Sequence, residues 1–404
     1  MKIENKSIYH QHNEIDGNIQ KDIEEKKYRR RKRSIMIILG AIMILSLLNM
    51  FSIGYYKEDQ ISLRKYAILM GGAIASSWVI PYHLSYKEYR KKYMKILLIV
   101  GCLALLLLVM FGPPSIVPNI KGAKGWLKIK GFTLQPSEIL KIPFIILLAN
   151  VLAKGEEKKL PINKIICNSL IIFIGFAIFI CHQNDLGTVI HYGTIYIFML
   201  FLTKLDKKII IGVTGAGVIS SFLGGYFVLK NSEKISGSYK IERIKIFLEG
   251  LFRDSYTKNS KVGYQVNQSL LAYGNGGFFG RSYGSGVQKY NYLPEIHSDF
   301  IMALFGEELG FIGVFIVIIL FFTLYNIIIE IAISCKDSFG RYLALGIGGY
   351  IISQFLINIF VTLGLLPVFG IPMPVFSYGG SSMIAIISGI GIILNINKSM
   401  FDKK

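Results

Sequence analysis

Asp299 stands where a long polar, glycine-rich segment gives way to an apolar run: Leu293-Pro-Glu-Ile-His-Ser-Asp299 is followed directly by Phe300-Ile-Met-Ala-Leu304. A carboxylate held beside lipid is poorly solvated, and poor solvation is one way proteins prepare a carboxylate to take a proton near neutral pH. The same residues fit a second account, in which Ser298 or Asp299 caps the helix that follows. The polar segment adds Gln265 in Gly263-Tyr-Gln-Val-Asn-Gln268, Lys289 at the end of Ser285-Gly-Val-Gln-Lys289, and Glu295 and His297 beside the aspartate. Acid, base, amide and ammonium groups gathered at one membrane face point to chemistry on a polar molecule at that surface.

Further groups lie elsewhere along the chain. Asp185 in His182-Gln-Asn-Asp-Leu-Gly-Thr188 opens a helix, either as a plain cap or as part of the same pocket. Lys121-Gly-Ala-Lys-Gly-Trp-Leu-Lys128 sets an indole among lysines, so Trp126 either anchors at the interface or stacks on a sugar while Lys124 meets phosphate. Gln135-Pro-Ser-Glu138 starts a helix with Pro in its first turn, and Lys141 follows Glu138 at i+3, the spacing of a surface ion pair. Glu307 and Glu308 sit inside an apolar run, where acids are costly and face a cavity or a partner; pairing with lysine is the favoured account. Ile241 through Glu249 has the spacing of an amphipathic interfacial helix, with Arg243 and Lys245 able to meet headgroups. Leu366-Pro-Val-Phe-Gly-Ile-Pro-Met-Pro-Val-Phe-Ser-Tyr-Gly-Gly-Ser-Ser382 is a Pro/Gly-rich break carrying Ser377, Ser381 and Ser382. Such backbone at membrane depth must be buried in protein or line a cavity.

These residues must be held by membrane helices. The 404 residues are 52% hydrophobic and only 17% charged, against about 25% charged in soluble domains. Apolar runs at 34–54, 66–84, 95–112, 138–153, 165–181, 187–203, 208–229, 299–329, 341–365 and 378–396 predict an all-α polytopic membrane protein of about ten spans. The expected organisation is a basic, disordered cytoplasmic tail over 1–33, a membrane domain over 34–397 and a cytoplasmic tail over 398–404. A large external loop, 230–298, separates the seventh and eighth spans. The net charge of +20 follows from lysine-rich inner loops, which place both termini in the cytoplasm, and no nucleic-acid motif accompanies it. Lysines 121, 124, 128 and 130 crowd a short external loop against that rule, which implies an anionic partner outside. The four cysteines have neither metal nor redox spacing. No cleavable signal peptide is evident, because the first apolar run is too long. No P-loop or Rossmann fingerprint is present, so energy for any reaction comes from the substrate.

Taken together, the stretches Gly364–Ser382, Leu293–Ile301, Gly306-Glu-Glu-Leu-Gly-Phe-Ile-Gly313, Gln135–Glu138 and Asp185–Thr188 resemble the SEDS family, the FtsW/RodA/SpoVE proteins of bacterial cell-wall synthesis. The resemblance covers nearly the whole chain beyond the basic tail. It implies polymerisation of lipid II, a disaccharide-peptide on undecaprenyl pyrophosphate, with the family's essential external aspartate falling on Asp299. It also implies a class B penicillin-binding protein as partner, alongside other division or elongation membrane proteins. Gly125 stands where the family often has arginine, and Asn184 where it often has proline. Gln288-Lys-Tyr-Asn-Tyr-Leu-Pro294 leans toward the division member. No cofactor is evident; a divalent cation is compatible with the pattern, though no Asp-x-Asp signature calls for one. A lipid II flippase and a non-catalytic scaffold for the penicillin-binding protein are the alternatives.

Overall fold

Apolar chain in lipid must satisfy its backbone internally, and helices do so. The structure, a computed structural model, describes residues 2–54, 66–75, 84–120, 123–129, 132–203, 243–248 and 261–401, with a few isolated positions between 208 and 250. Its helices are α1 (Lys2–Gly54), α2 (Tyr66–Ala75), α3 (Lys92–Phe111), α4 (Pro136–Glu157, with a turn at Leu140), α5 (Ile162–His182) and α6 (Leu186–Phe201). They continue with α7 (Lys261–Gly276), α8 (Ile301–Ser334), α9 (Ser338–Thr362) and α10 (Gly380–Phe401). Among the described residues, seven helices are long and apolar enough to cross a membrane, and α2 and α6 are shorter apolar helices. Every expected apolar run falls on one of these helices except 208–229, which lies mostly outside the described residues.

The burial pattern sets the centre of the bundle. Within their apolar windows α4 and α9 are each 83% buried, whereas α3 is 17% and α5 22% buried. So α4 and α9 form the middle, and α3 and α5 turn side chains outward. Small residues let the neighbours of α9 approach closely. A Cβ on Gly349 would stand 2.1 Å from the Phe198 ring of α6, and one on Gly348 would stand 2.9 Å from Ile328 of α8.

Three local features refine the expected organisation. α1 carries helix through the basic segment, supported by i,i+4 pairs of Lys26 with Asp22 (2.8 Å) and Arg29 with Glu25. It also docks on the rest of the protein, through Arg31 on Glu330 (3.4 Å) and Tyr28 stacked on Phe401. The loop region 230–298 contains a 16-residue helix, α7, whose Gly276 allows backbone contact with α8; a Cβ there would lie 2.0 Å from the Gly306 carbonyl. The 113–137 loop contains a two-stranded antiparallel hairpin, β1 (Leu127–Ile129) with β2 (Phe132–Leu134), register Leu127 to Leu134.

The segment after α7 is fastened to α8 around a kink. Gly310 has φ 67 and ψ −167, which interrupts the helical hydrogen-bond ladder. The freed N–H groups of Phe311 and Ile312 instead donate to the Gly277 and Phe278 carbonyls, at 2.9 and 3.3 Å. One turn earlier, the Glu307 carboxylate accepts from Gln288 N (3.1 Å). The Glu308 carboxylate accepts from Gly284 N (3.1 Å), Gly286 N (3.2 Å) and Ser52 Oγ (2.7 Å), and ion-pairs with Lys289 Nζ at 2.9 Å. Both acids therefore pair structurally, as the cost of acids in an apolar helix requires. Tyr283 belongs to the same anchorage: its hydroxyl donates to the Leu48 carbonyl (2.7 Å), and burial followed by the Glu308 charge raises its pKa.

Basic groups collect at the opposite end of the bundle. Arg90 grips Glu157 with two hydrogen bonds (2.9 and 2.6 Å), Arg341 pairs with Glu156, and Tyr86 N donates to Asn395 (2.9 Å).

Removing Lys289 leaves the Glu308 charge buried without its cation. Lys289→Met lowers stability by about 3–5 kcal/mol, and the double change Lys289→Met with Glu308→Leu recovers much of that loss. Thermal unfolding in detergent checks both.

Candidate functional site

The turn Leu293–Phe300 is pinned by three completely buried side chains, Leu293, Ile296 and Phe300, which leave His297, Ser298 and Asp299 half-exposed between them. Glu295 sits at φ 56, a left-handed conformation uncommon for a residue with a side chain. Its carbonyl accepts from Ser298 N (3.1 Å) and Phe300 N (3.3 Å), and its carboxylate from Ser298 Oγ (3.2 Å). α8 then starts at Ile301; the residue at its cap position is Phe300, which supplies no side-chain capping bond. The capping account of Ser298 and Asp299 is thereby set aside.

The Pro/Gly break 366–377 lies against this turn and is buried in protein. Val368, Ile371, Met373, Val375 and Phe376 are in the core. Its carbonyls take donors from the helices around it: Phe376 from Ser46 Oγ (2.7 Å), Pro372 from Gln354 Nε2 (2.8 Å) and Ile371 from Asn358 Nδ2 (2.9 Å). Tyr378 N donates to the His297 carbonyl (2.9 Å), tying break to turn. Gly370, at φ 75, faces the aspartate: a Cβ there would lie 3.6 Å from Asp299 Oδ2 and 3.9 Å from Arg243 Nη1. The break thus brings Asp299 and Arg243 to one spot.

Residues 243–248 are helical. Arg243, Ile246 and Phe247 of this stretch line a small cleft with Val262 and Val266 of α7 and Pro367 of the break. Gln265 is buried on α7, between those two valines in sequence.

A second polar group borders the other side of the break. Gly187 has its Cα pressed on the Phe369 carbonyl, where a Cβ would stand 2.2 Å away. Just before it, Asp185 caps α6 by accepting from Thr188 N (3.0 Å) and Thr188 Oγ1 (2.6 Å), and also accepts from Gln135 Nε2 (2.8 Å). Gln135 N in turn donates to Ser381 Oγ (2.8 Å). Asp185 is therefore a cap that also holds Gln135. The hairpin delivers Gln135 to this place, resting Leu127 on Val109 and Val117, while Lys124 N donates to the Gln183 carbonyl (3.1 Å). Lys124 is exposed and Trp126 half-buried on this rim.

Other expected site groups serve the fold. Lys289 is fully buried against Glu308, so its charge is held inside the protein rather than offered to a phosphate. Glu138 and Lys141 form a buried pair, not a surface one, at 4% and 0% side-chain exposure, with the ammonium over the Tyr350 ring at 5.4 Å. Ser377 Oγ donates to the Met373 carbonyl (2.9 Å) within the break itself. Sequence reasoning passed over Tyr350, Gln354, Asn358 and Thr362, polar residues at four-residue intervals along the buried face of α9. That spacing on an apolar helix was the available signal. Among the described residues, no cluster of three or more His, Cys, Asp or Glu could hold a metal ion.

Comparison with known proteins agrees with this architecture. The FtsW/RodA/SpoVE profile, described as a cell cycle protein, matches residues 31–401. A relative from Geobacter metallireducens, named probable peptidoglycan glycosyltransferase FtsW, is 34% identical over 364 residues, covering 89% of this chain and 91% of the relative. A solved structure of a peptidoglycan synthase complex, described as coordinating polymerization and crosslinking, contains a chain of the same fold at TM-score 0.71 and 23% identity, covering 91% of this chain and 97% of that one. The rod shape determining protein RodA of Thermus thermophilus shares the fold at TM-score 0.62 and 23% identity, over 90% and 96% of the two chains. With its profile match running from the basic end of α1 to the close of α10, this multi-pass membrane protein belongs to the FtsW/RodA/SpoVE family.

Proposed function

We propose that this protein is a peptidoglycan glycosyltransferase that polymerises lipid II at the outer face of a bacterial cytoplasmic membrane, in the division programme. The observation that carries the reading is Asp299: a half-exposed carboxylate on a pinned turn, meeting the Arg243 guanidinium across Gly370. Glycan growth requires the 4-hydroxyl of a GlcNAc to attack the anomeric carbon of MurNAc. The new C–O bond forms as the bond to undecaprenyl pyrophosphate breaks, and the hydroxyl proton passes to the Asp299 carboxylate. A side-on base of this kind contributes roughly 10²–10⁴-fold. Direct displacement inverts an α-linked donor to a β-linked product. Pyrophosphate leaves as a stable anion and needs a cation more than an acid, which Arg243 supplies beside the base and Lys124 on the rim.

The orientation follows from charge. Basic residues of α1, the 84–91 segment and the α8–α9 turn meet at one end of the bundle, which positive-inside assigns to the cytoplasm together with both termini. Asn358, which holds the Asp299 carbonyl, lies toward the end of α9 opposite Asp337 and Arg341, which supports an outward-facing Asp299. The family fold within a synthase complex supports a class B penicillin-binding protein as the partner that cross-links the product. The flippase alternative needs the inner end to open, against the Arg90–Glu157 and Arg341–Glu156 pairs that fasten it.

In a lipid II polymerisation assay in detergent, where no second leaflet exists, the purified protein, with its partner added, forms glycan. Asp299→Asn cuts the turnover number by roughly 10²–10⁴-fold with unchanged melting temperature; near-normal product from a well-folded Asp299→Asn protein removes this residue as the base. Arg243→Glu or Lys124→Glu weakens lipid II binding about 10-fold, the loss of one charge-assisted phosphate contact. Titration of labelled lipid II measures it, and unchanged affinity counts against the phosphate role.

A further inference from the structure

Asp299 is placed by its main chain, and that main chain has an anchor one helix away. Asn358 of α9 is 1% exposed. Its single Nδ2 group sends one hydrogen to the Asp299 carbonyl and the other to the Ile371 carbonyl, both at 2.9 Å. One primary amide thus spans the two irregular segments whose meeting puts Asp299 opposite Arg243 and Gly370. Asn358 Oδ1 is buried with no hydrogen-bond partner among the described residues. The side chain is therefore held for its two donors, not for its acceptor. One turn away on the same face, Gln354 does the equivalent for Pro372 O and Ser382 Oγ, both at 2.8 Å, and its Oε1 is likewise without a partner. Neutral side chains that donate twice from one nitrogen are confined to Asn and Gln, which explains why these types occupy both positions.

We infer that Asn358 is the positioning residue for Asp299: it sets the distance between the carboxylate and the Arg243–Gly370 side of the site by clamping turn and break together. The inference rests on the reading of Asp299 as the base. Loss of the clamp frees the carboxylate to drift relative to the bound sugar, and misplacement by about 1 Å costs on the order of 10²-fold in rate. The base itself is untouched.

The test uses the full-length protein in detergent with lipid II and with the partner present throughout. Asn358→Leu keeps the volume and removes both donors; Asn358→Ser keeps one donor in a smaller side chain. The expected result for Asn358→Leu is a kcat per folded molecule lowered roughly 10–100-fold, with KM within twofold of the parent. Asn358→Ser falls between Leu and the parent, and decides the matter by the same readouts if Asn358→Leu does not fold. A kcat per folded molecule within twofold of the parent, or a rise in KM with kcat intact, overturns the assignment while Asp299→Asn remains inactive. If Asp299→Asn is itself active, the base assignment fails, and the positioning role fails with it.

Discussion

Irregular backbone can lie at membrane depth only where it is buried in protein or lines a cavity, because its polar groups still need partners. The site depends on that constraint. Two non-helical segments, the turn before α8 and the break before α10, meet there. The helices answer with a row of polar side chains: Ser46 from α1, then Gln354 and Asn358 from the buried α9, each donating to a carbonyl of the irregular chain. Burial of α9 on all sides is what makes those donors effective, since a hydrogen bond strengthens where water cannot compete.

The charges of the molecule divide by the same logic. Glu308 with Lys289 at the root of the loop, and Glu138 with Lys141 between the central helices, are ion-paired inside the protein, and Glu307 beside them accepts from the Gln288 N–H. Asp299, Arg243 and Lys124 keep some exposure. A buried pair adds rigidity but cannot reach a substrate, whereas a half-exposed carboxylate on a rigid turn can. Separation of the acids into scaffold and chemistry therefore comes from depth rather than from residue type.

Much of this was readable from residue order. Long apolar runs announced the spans because lipid leaves helix as the only solution. Asp299 stood out because an acid at the edge of such a run demands a reason. The misreadings have a common physical origin in glycine and in alternation over few residues. In α7, Gly263, Gly274 and Gly276 looked like loop, yet Gly276 is small so that two backbones can touch. The hairpin at 127–134 offers only three residues per strand, too short a pattern to separate from a loop. Lys289 looked like a phosphate ligand because sequence shows charge but not depth. Asn358 and Gln354 were passed over although their four-residue spacing was visible, because nothing in the sequence tells which backbone carbonyls, more than ten residues away in the chain, they hold.

The Lys289–Glu308 pair is closed to the surrounding medium. Counterions screen charges they can approach, over about 8 Å at physiological ionic strength. Lys289 has no accessible surface, and the Glu308 side chain has almost none. The attachment of the loop to α8 is thus indifferent to the ionic strength of the surrounding medium, while contacts made by exposed Lys124 rise and fall with it. A change from fresh to salty surroundings leaves this anchorage as it is and alters only how strongly the exposed lysine attracts anions.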